Sequence, residues 1–155
     1  MSKGSILSFV KNWPISLKEF RAIYSKVPRL CVEVVIKTEK GIVLTLRSIE
    51  PYKGLWHIPG GTVYFKERLV DAVRRVAKDE VGVEVEIEKL LGYIEYPDEE
   101  NYRGFGWPVG VAFLVKIVSG KLTGSEQGEE VREFTSLPEN MVEPQKEFLE
   151  WSCGV

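Results

Sequence analysis

The feature that most constrains the fold is a turn followed at close spacing by a long helical segment and a helix stop. Residues 59–61 read Pro-Gly-Gly, and Gly82 ends a run of good helix formers. Proline and glycine favour turns, and glycine just past a helix provides the left-handed residue that ends it. The pattern predicts a helix from about residue 66 to residue 81, directly after a tight turn.

Two carboxylates extend the apolar face of this predicted helix. At 100° per residue, Val73, Val76 and Glu80 fall in one stripe. Asp79 lies on its flank. A buried, unpaired carboxylate is costly, so such a face normally ends at an arginine or a metal ion. Oxygen ligands beside a turn carbonyl, here that of Gly60, suit Mg²⁺, with Mn²⁺ as a substitute. A frayed, exposed last turn is the alternative explanation.

Length, charge and histidine content exclude several classes of protein. The chain has 155 residues, 44% of them hydrophobic and 28% charged, which is enough for one core and one domain, residues 1–155. A net charge of -2 leaves no basic surface, so we expect no nucleic-acid partner. His57 is the single histidine, which excludes a zinc site built on several imidazoles.

Cysteine usage and the start of the sequence predict a cytoplasmic protein without a membrane partner. Cys31 lies in an apolar segment and Cys153 near the end, a pattern typical of reduced thiols rather than of a disulfide framework. The apolar run at residues 6–10 is too short for a signal peptide or a membrane span.

Strands and helices alternate along the rest of the chain. Ser16 and Glu19 have the spacing of a capping box, which predicts a short helix to about Ser25 within an N-terminal helical extension, residues 1–28. Val- and Ile-rich or alternating segments predict strands at 29–37, 42–47, 55–58, 83–96, 109–118 and 131–134. Residues 97–108 read as a loop, and residues 138–151 as a closing helix with proline in its first turn.

The spacing of the central segment resembles a known motif. Counted from Gly61, the positions of Glu67, Arg75, the acidic pair at 79–80 and Gly82 are similar to the Nudix box. That motif is the metal-binding signature of hydrolases that cleave nucleoside diphosphates linked to another group. The resemblance implies a Nudix-type α/β/α sandwich with a mixed sheet, in the α/β class, and an enzyme. The chain departs from the box at Val76, where the family has glutamate.

Within the family, the opening helix, the hairpin at 29–47, the aromatic loop and the acidic loop at 125–130 look most like the GDP-mannose mannosyl hydrolase branch. That branch also lacks the glutamate after the box arginine. There a single Mg²⁺ neutralises the diphosphate leaving group while water attacks the sugar carbon. The resemblance therefore implies a Mg²⁺-dependent hydrolase of a nucleoside diphosphate sugar, and a homodimer with Phe20 and Tyr24 partly buried between subunits.

The resemblance also implies a metal site and a catalytic base. The metal ligands are Gly60, Asp79 and Glu80 of the box, together with Gln127, which matches a glutamine of the branch. Gly128 stands where the branch has a histidine as general base. A base then has to come from a neighbouring carboxylate, and a solvated turn explains the acidic run equally well. The candidate bases are Glu126, Glu129 and Glu130.

Four further residues are candidates for contact with substrate. Arg47 matches an arginine that holds the diphosphate, unless it is a surface cation at a strand end. Arg75 reaches phosphate or pairs with Glu67, and the pairing is favoured. Glu33 contacts a base or sugar, or is an edge-facing charge. Tyr102 stacks on a base or sugar, or only packs its loop.

Two other functions remain open from the sequence. One is an ADP-ribose or dinucleotide pyrophosphatase that cuts the P–O–P bridge. The other is a non-catalytic Nudix-fold nucleotide-binding module, because Val76 and Gly128 replace two residues that handle protons in the family. The retained acidic pair and Gln127 favour a working metal site over the non-catalytic alternative.

Overall fold

A mixed sheet lies between helices on its two faces. The computed structural model describes residues 15–125, 128 and 130–155. The strands are β1 Arg29–Thr38, β2 Gly41–Leu46, β3 Trp56–His57, β4 Gly60–Thr62, β5 Val83–Glu95, β6 Pro108–Gly120 and β7 Glu130–Phe134. The helices are α1 Leu17–Tyr24, α2 Leu69–Val81, α3 Glu99–Arg103 and α4 Glu143–Cys153. The predicted α/β/α sandwich with a mixed sheet is confirmed.

Strand β1 is the centre of the sheet. The order is β3-β2-β1-β6-β5, with β4 also paired to β1 and β7 to β2. β1 and β6 are parallel, from Arg29 opposite Pro108 to Ile36 opposite Val115, and the other strand pairs are antiparallel. Six consecutive residues of β1, from position 31 to position 36, are buried. Coverage on both faces explains why β1 reads as a nearly continuous apolar run.

Helix α2 covers one face of the sheet with the apolar stripe that the sequence predicts. Its buried residues are Ala72, Val73, Val76, Ala77 and Val81. Gly82 ends the helix in the left-handed conformation, with φ of 73°, and its N–H binds the carbonyls of the last turn. The predicted start near residue 66 is wrong, because residues 65–66 form a turn with Lys66 at φ of 65°.

Helix α4 covers the other face, and its predicted start at residue 138 is also wrong. The N–H of Trp56 donates to the Asn140 carbonyl at 2.9 Å, and the N–H of Val142 donates to the Trp56 carbonyl at 3.0 Å. These bonds hold residues 140–142 extended beside β3, so the helix begins only at Glu143, with Pro144 in its first turn. Its Phe148 and Leu149 are buried in the second core.

Helix α1 has the predicted capping box, in which Ser16 and Glu19 bind each other's backbone N–H. The predicted dimer contact through Phe20 is wrong, because this ring is 2% exposed and packs on Tyr24 and Phe105 of its own chain. The homodimer stays a prediction, which light scattering can test. Residues 1–14 of the predicted N-terminal extension lie outside the described residues.

No helix in the part of the chain that the structure describes is long and apolar enough to cross a membrane. Cys31 and Cys153 are both free, as predicted. The cytoplasmic location inferred from them stays a prediction.

Candidate active site

A polar pocket opens where β1, β4 and α4 meet. Its cavity volume is about 80 Å³, and it opens to solvent. Its walls include Glu33, Arg47, His57, Tyr96, Glu99 and Gln145. Two of the predicted substrate residues, Glu33 and Arg47, therefore share one pocket. The third, Tyr102, is 59% exposed and is not in the pocket wall. Its ring packs on Tyr52 at a tilt of 45°, with ring centroids 4.8 Å apart.

Glu33 is a buried acid at the floor of this pocket and is 5% exposed, so the edge-facing alternative is wrong. The hydroxyl of Tyr96 donates to its carboxyl at 2.6 Å, and the Gln145 amide donates to that hydroxyl at 2.9 Å. The Ile58 N–H in turn donates to Gln145 at 2.7 Å. Burial raises the pKa of Glu33 to about 8, and the neighbouring Glu80 adds to the rise.

The buried Glu33 makes folding stability depend on pH. Because its pKa is about 8 in the folded protein against an ordinary value of 4.5, the folded state holds a proton that the unfolded chain releases. Stability is expected to fall as pH rises from about 4.5 to about 8. Glu33→Gln keeps an acceptor for Tyr96 and should flatten this decline in Tm, measured in EDTA. Glu86→Gln, at an exposed site, is the control, and an unchanged slope in Glu33→Gln would contradict the assignment.

Two glycines leave the space that the Glu33 side chain occupies. A Cβ at Gly60 would lie 2.4 Å from Glu33 Oε2, and a Cβ at Gly110 would lie 2.5 Å from Oε1. Gly60 faces Glu33 from β4, and Gly110 lies on β6 on the opposite side of β1. Glycine at position 60 is therefore required by the close approach of Glu33.

Glu80, near the end of α2, lies against β4. The N–H of Gly60 donates to its carboxyl group, and burial raises its pKa to about 8, against the opposing effect of Arg47. The N–H of Val34 donates to the Pro59 carbonyl. Glu33 and Gly60, the next pair along the antiparallel strands, are therefore a non-hydrogen-bonded pair. The N–H and C=O of Gly60 therefore point away from β1, toward the helix end.

The carboxylates of Glu80 and Asp79 and the Gly60 carbonyl fit one divalent cation better than a cluster of several metal ions. Glu80 has no ion pair within 4 Å in the described portion of the chain, and Asp79 beside it is exposed. Carboxylate and carbonyl oxygens are hard ligands of the kind that Mg²⁺ takes. Among residues 15–125, 128 and 130–155, no three His, Cys, Asp or Glu side chains form a metal-binding group. The predicted ligand Gln127 lies outside the described residues.

Val76 occupies the place of the box glutamate and belongs to the apolar core. It is 2% exposed, and its Cγ2 lies 3.2 Å from where a Cβ of Gly61 would be. The surrounding cluster is formed by α2, β1, β5 and β6. Position 76 therefore supplies packing and no carboxylate, which leaves Asp79 and Glu80 as the acidic residues at the end of the box.

The family assignment follows from the comparison of the whole chain. The model of the NUDIX domain matches residues 27–152, which includes every strand and the box. The chain belongs to the Nudix family. It is a Nudix hydrolase, with relatives among the MutT proteins and the ADP-ribose pyrophosphatases.

Three relatives are similar to this Nudix hydrolase over most of its length. The low-salt glycan biosynthesis protein Agl8 of Haloferax volcanii is 47% identical over 119 residues, 75% of this chain and 76% of the relative. The ADP-ribose pyrophosphatase of Methanocaldococcus jannaschii is 27% identical over 89% of this chain and 82% of its own. The MutT NUDIX hydrolase of Burkholderia pseudomallei has a TM-score of 0.72 and 26% identity, with 80% of this chain and 97% of that chain covered.

Arg75 of the Nudix box is held by contacts within the protein. Its guanidinium donates to Glu67 at 2.8 and 2.9 Å and to the Thr62 carbonyl at 2.9 Å, and it lies over the Tyr64 ring at 3.8 Å. The predicted pairing with Glu67 is confirmed. Since these bonds tie α2 to the end of β4, they support a positioning role, and the catalytic role for Arg75 stays a prediction without support from this geometry.

Position 128, where the GDP-mannose mannosyl hydrolase branch has a histidine, has little space for a side chain. A Cβ at Gly128 would lie 3.0 Å from the Cβ of Thr45, and the Thr45 hydroxyl is bound 2.8 Å from His57. Glu130, the described candidate base, pairs with Arg132. The candidates Glu126 and Glu129 lie outside the described residues. A side chain at position 128 would press on Thr45, which accounts physically for glycine there.

Several pocket residues were missed from the sequence. His57 lines the pocket, and its Nδ1 lies 2.9 Å from the Ile58 carbonyl. A carbonyl only accepts, so Nδ1 carries the proton and Nε2 accepts from Thr45. Burial lowers the pKa of His57 to about 3, which keeps the ring neutral. The other missed residues are Arg29, Tyr96, Glu99, Arg103 and Gln145. Only the polar Gln145 on the buried face of α4 gave a signal in the sequence.

Proposed function

We propose that this Nudix hydrolase cleaves a nucleoside diphosphate sugar, or a related nucleoside diphosphate derivative, with Mg²⁺ or Mn²⁺ as cofactor. The observation that carries the proposal is the apolar burial of Val76, which leaves the box with too few carboxylates for several metal ions. Held by Glu80, Asp79, the Gly60 carbonyl and Gln127, one divalent cation would neutralise charge on the departing diphosphate. A single cation suits the departure of a leaving group better than the activation of a phosphorus-attacking water.

The pocket residues provide the remaining functions. Arg47 lies within electrostatic range of Glu80, which suits it to hold the diphosphate beside the cation. Glu33 is protonated at neutral pH, so it can donate a hydrogen bond to a sugar or base hydroxyl as well as accept one. The general base is proposed among Glu126, Glu129 and Glu130, because position 128 carries no side chain.

The relatives support a sugar-linked substrate. Agl8, at 47% identity, has a role in glycan biosynthesis by its name, and a sugar nucleotide is consistent with that role. A pyrophosphatase is the second candidate, and the relative from Methanocaldococcus jannaschii supports it, being an ADP-ribose pyrophosphatase by name. The resemblance to the GDP-mannose mannosyl hydrolase branch supports three further parts of the proposal: membership of that branch, a homodimer, and a nucleotide sugar as the substrate.

Isotope labelling tests which bond is cut. A panel of GDP-, UDP- and ADP-linked sugars is incubated with Mg²⁺ in ¹⁸O-water, and the products are identified by mass spectrometry. Attack at the sugar carbon is expected to place the label in the free sugar and to release an unlabelled nucleoside diphosphate. Label in a nucleoside monophosphate or a sugar phosphate would favour the pyrophosphatase. Nucleotide binding without any hydrolysis would favour the non-catalytic module.

A further inference from the structure

Three arginines converge on one end of the pocket. Arg29 begins β1, Arg47 follows β2, and Arg103 ends α3, and all three line the cavity. Arg29 is 5% exposed, and the side chain of Arg103 is 18% exposed. Their proximity is visible in their ionisation, because burial and the charges of Arg29 and Arg47 together lower the pKa of Arg103 to about 10. Three cations in such a space need anionic partners.

Among the described residues, a single carboxylate forms ion pairs within 4 Å with this group of arginines. Glu99 accepts from Arg29 at 3.1 Å and lies 3.6 Å from Nε of Arg103. The rest of Arg29 is bound to Thr62 and Cys31, and Nε of Arg47 donates to the Pro51 carbonyl. The other acid that lines the pocket, Glu33, accepts from the hydroxyl of Tyr96 and forms no ion pair with a described arginine.

Arg103 is the unsatisfied member of the group. Its Nε is buried, and in the described part of the chain it has no hydrogen-bond acceptor. No hydrogen bond from the rest of its guanidinium to a described residue is present either, beyond the long contact with Glu99. Buried arginine donors are normally satisfied, so this group is arranged for a partner that residues 15–125, 128 and 130–155 do not provide.

Arg47 lines the pocket together with Gly60, whose N–H donates to Glu80. The same pocket is lined by the Arg29–Glu99–Arg103 group. The pocket therefore connects the acidic end of the box with this second group of arginines. A diphosphate held at Glu80 and Arg47 would direct its attached group toward Arg103, so the two positive positions serve different parts of one ligand.

We propose that the part of the pocket formed by Arg29, Glu99 and Arg103 binds a carboxylate on the group attached to the nucleoside diphosphate. The inference rests on the proposed function and gives it a substrate class, the nucleotide-linked acidic sugars. Arg103 donates to the carboxylate through its free guanidinium edge, and the Arg29–Glu99 pair holds the α3 end in place. Planar guanidiniums bind carboxylates through paired hydrogen bonds, which suits this group better than a neutral hydroxymethyl.

Matched ligands test the site without catalysis. UDP-glucuronate and UDP-glucose differ only at the sugar C6, as do GDP-mannuronate and GDP-mannose. Binding of each is measured by calorimetry in EDTA, where no metal-dependent turnover occurs. In at least one pair the acidic sugar is expected to bind about tenfold tighter than its neutral partner, the scale of one charge-assisted hydrogen bond. Equal affinities within both pairs would overturn the proposal.

Substitution of Arg103 tests whether this residue causes the preference for the acidic sugar. Arg103→Met should reduce the acidic-over-neutral ratio to about twofold or less while leaving affinity for the neutral sugar nearly unchanged. Arg74→Met, at an exposed site on α2, is the control and should keep the wild-type ratio. If Arg103→Met weakens both ligands equally, the residue contacts the diphosphate and the proposal fails. Arg103→Lys keeps the positive charge and should retain part of the acidic-over-neutral affinity ratio. A wild-type ratio in both Arg103 variants would also overturn the proposal.

The hydrolysis assay separates this site from the proposed function. Hydrolysis of neutral nucleotide sugars with no acidic preference in binding would leave the proposed function standing and remove the carboxylate site. An acidic preference that depends on Arg103, without turnover of any nucleotide sugar, would keep the site and remove the proposed hydrolysis.

Discussion

Glu80→Gln is expected to abolish divalent-cation binding and to lower Mg²⁺-dependent hydrolysis by about 10³-fold. Glu80 is the half-buried acid of the box, and desolvation of its carboxyl raises its pKa to about 8. A nearby cation reverses this effect by favouring the charged form, so the carboxylate and the cation depend on each other. Calorimetric titration of Mg²⁺ and initial rates on the best substrate of the panel give the two readouts.

The same variant should behave in the opposite way when no metal is present. In EDTA at pH 8, Glu80→Gln is expected to have a Tm equal to or above that of the unsubstituted protein, because it removes a poorly solvated carboxyl. Asp79→Asn should weaken Mg²⁺ less than Glu80→Gln, since Asp79 is exposed. Glu84→Gln, which alters an exposed partner of Lys78, is the matched control. Hydrolysis at the unsubstituted rate in Glu80→Gln would rule out the metal site described here.

Gly110→Ala is expected to cost about 3 kcal/mol of stability, at the upper end of overpacking in a core. The new methyl carbon would meet Glu33 Oε1 at 2.5 Å and its Cγ at 2.6 Å. Glu33 cannot move away cheaply, because its carboxyl is bound to Tyr96 in the buried network. Chemical denaturation followed by tryptophan fluorescence measures the loss.

A double substitution identifies the cause of that loss. Adding Glu33→Ala to Gly110→Ala removes the atoms that clash, so the two costs should fall short of additivity by more than 1 kcal/mol. Gly61→Ala is the control, since its Cβ would meet only Val76 Cγ2, at 3.2 Å. Additive costs, or a loss at Gly61 as large as at Gly110, would show that the close approach to Glu33 is not what position 110 requires.

The box could be predicted because its signals are local. The stripe of Val73 and Val76, the Glu67–Arg75 pair and the stop at Gly82 all act within one helix and its flanking turns. The start of that helix was placed too early because the left-handed Lys66 has no sequence signature comparable to that of glycine. Local periodicity therefore predicted the helix, its buried face and its C-terminal end, but not its first turn.

The elements that close the pocket depend on contacts distant in sequence. Helix α3 is five residues long, too short for a periodic pattern to reveal, and it carries both Glu99 and Arg103. The start of α4 was misplaced at residue 138, since a proline there is as good a sign of a first turn as Pro144. What decides between them is the pairing of residues 140–142 with Trp56, which no local pattern encodes.

The pocket residues were missed for the same reason. Polar side chains such as Tyr96 and Gln145 look like ordinary surface or packing residues until the topology brings them onto Glu33. Arg29 and Arg103 are far apart in sequence and meet only through Glu99. Two of the residues predicted from the sequence, Glu33 and Arg47, do line the pocket, whereas the Arg29–Glu99–Arg103 group could be recognised only in the assembled sheet.

The hydrogen bond from Ile58 to Gln145 joins residues 87 positions apart and has a consequence for biosynthesis. A ribosome delivers the N-terminal part of a chain first, at about 5–20 residues per second. The hairpin and the box can therefore form several seconds before α4 emerges. During that interval Ile58, Tyr96 and Ile94 lack the helix that covers them in the finished protein. A nascent chain at this stage exposes an unfinished apolar face, and the hydrogen-bond network around Glu33 is completed only when the last helix brings Gln145 to Tyr96.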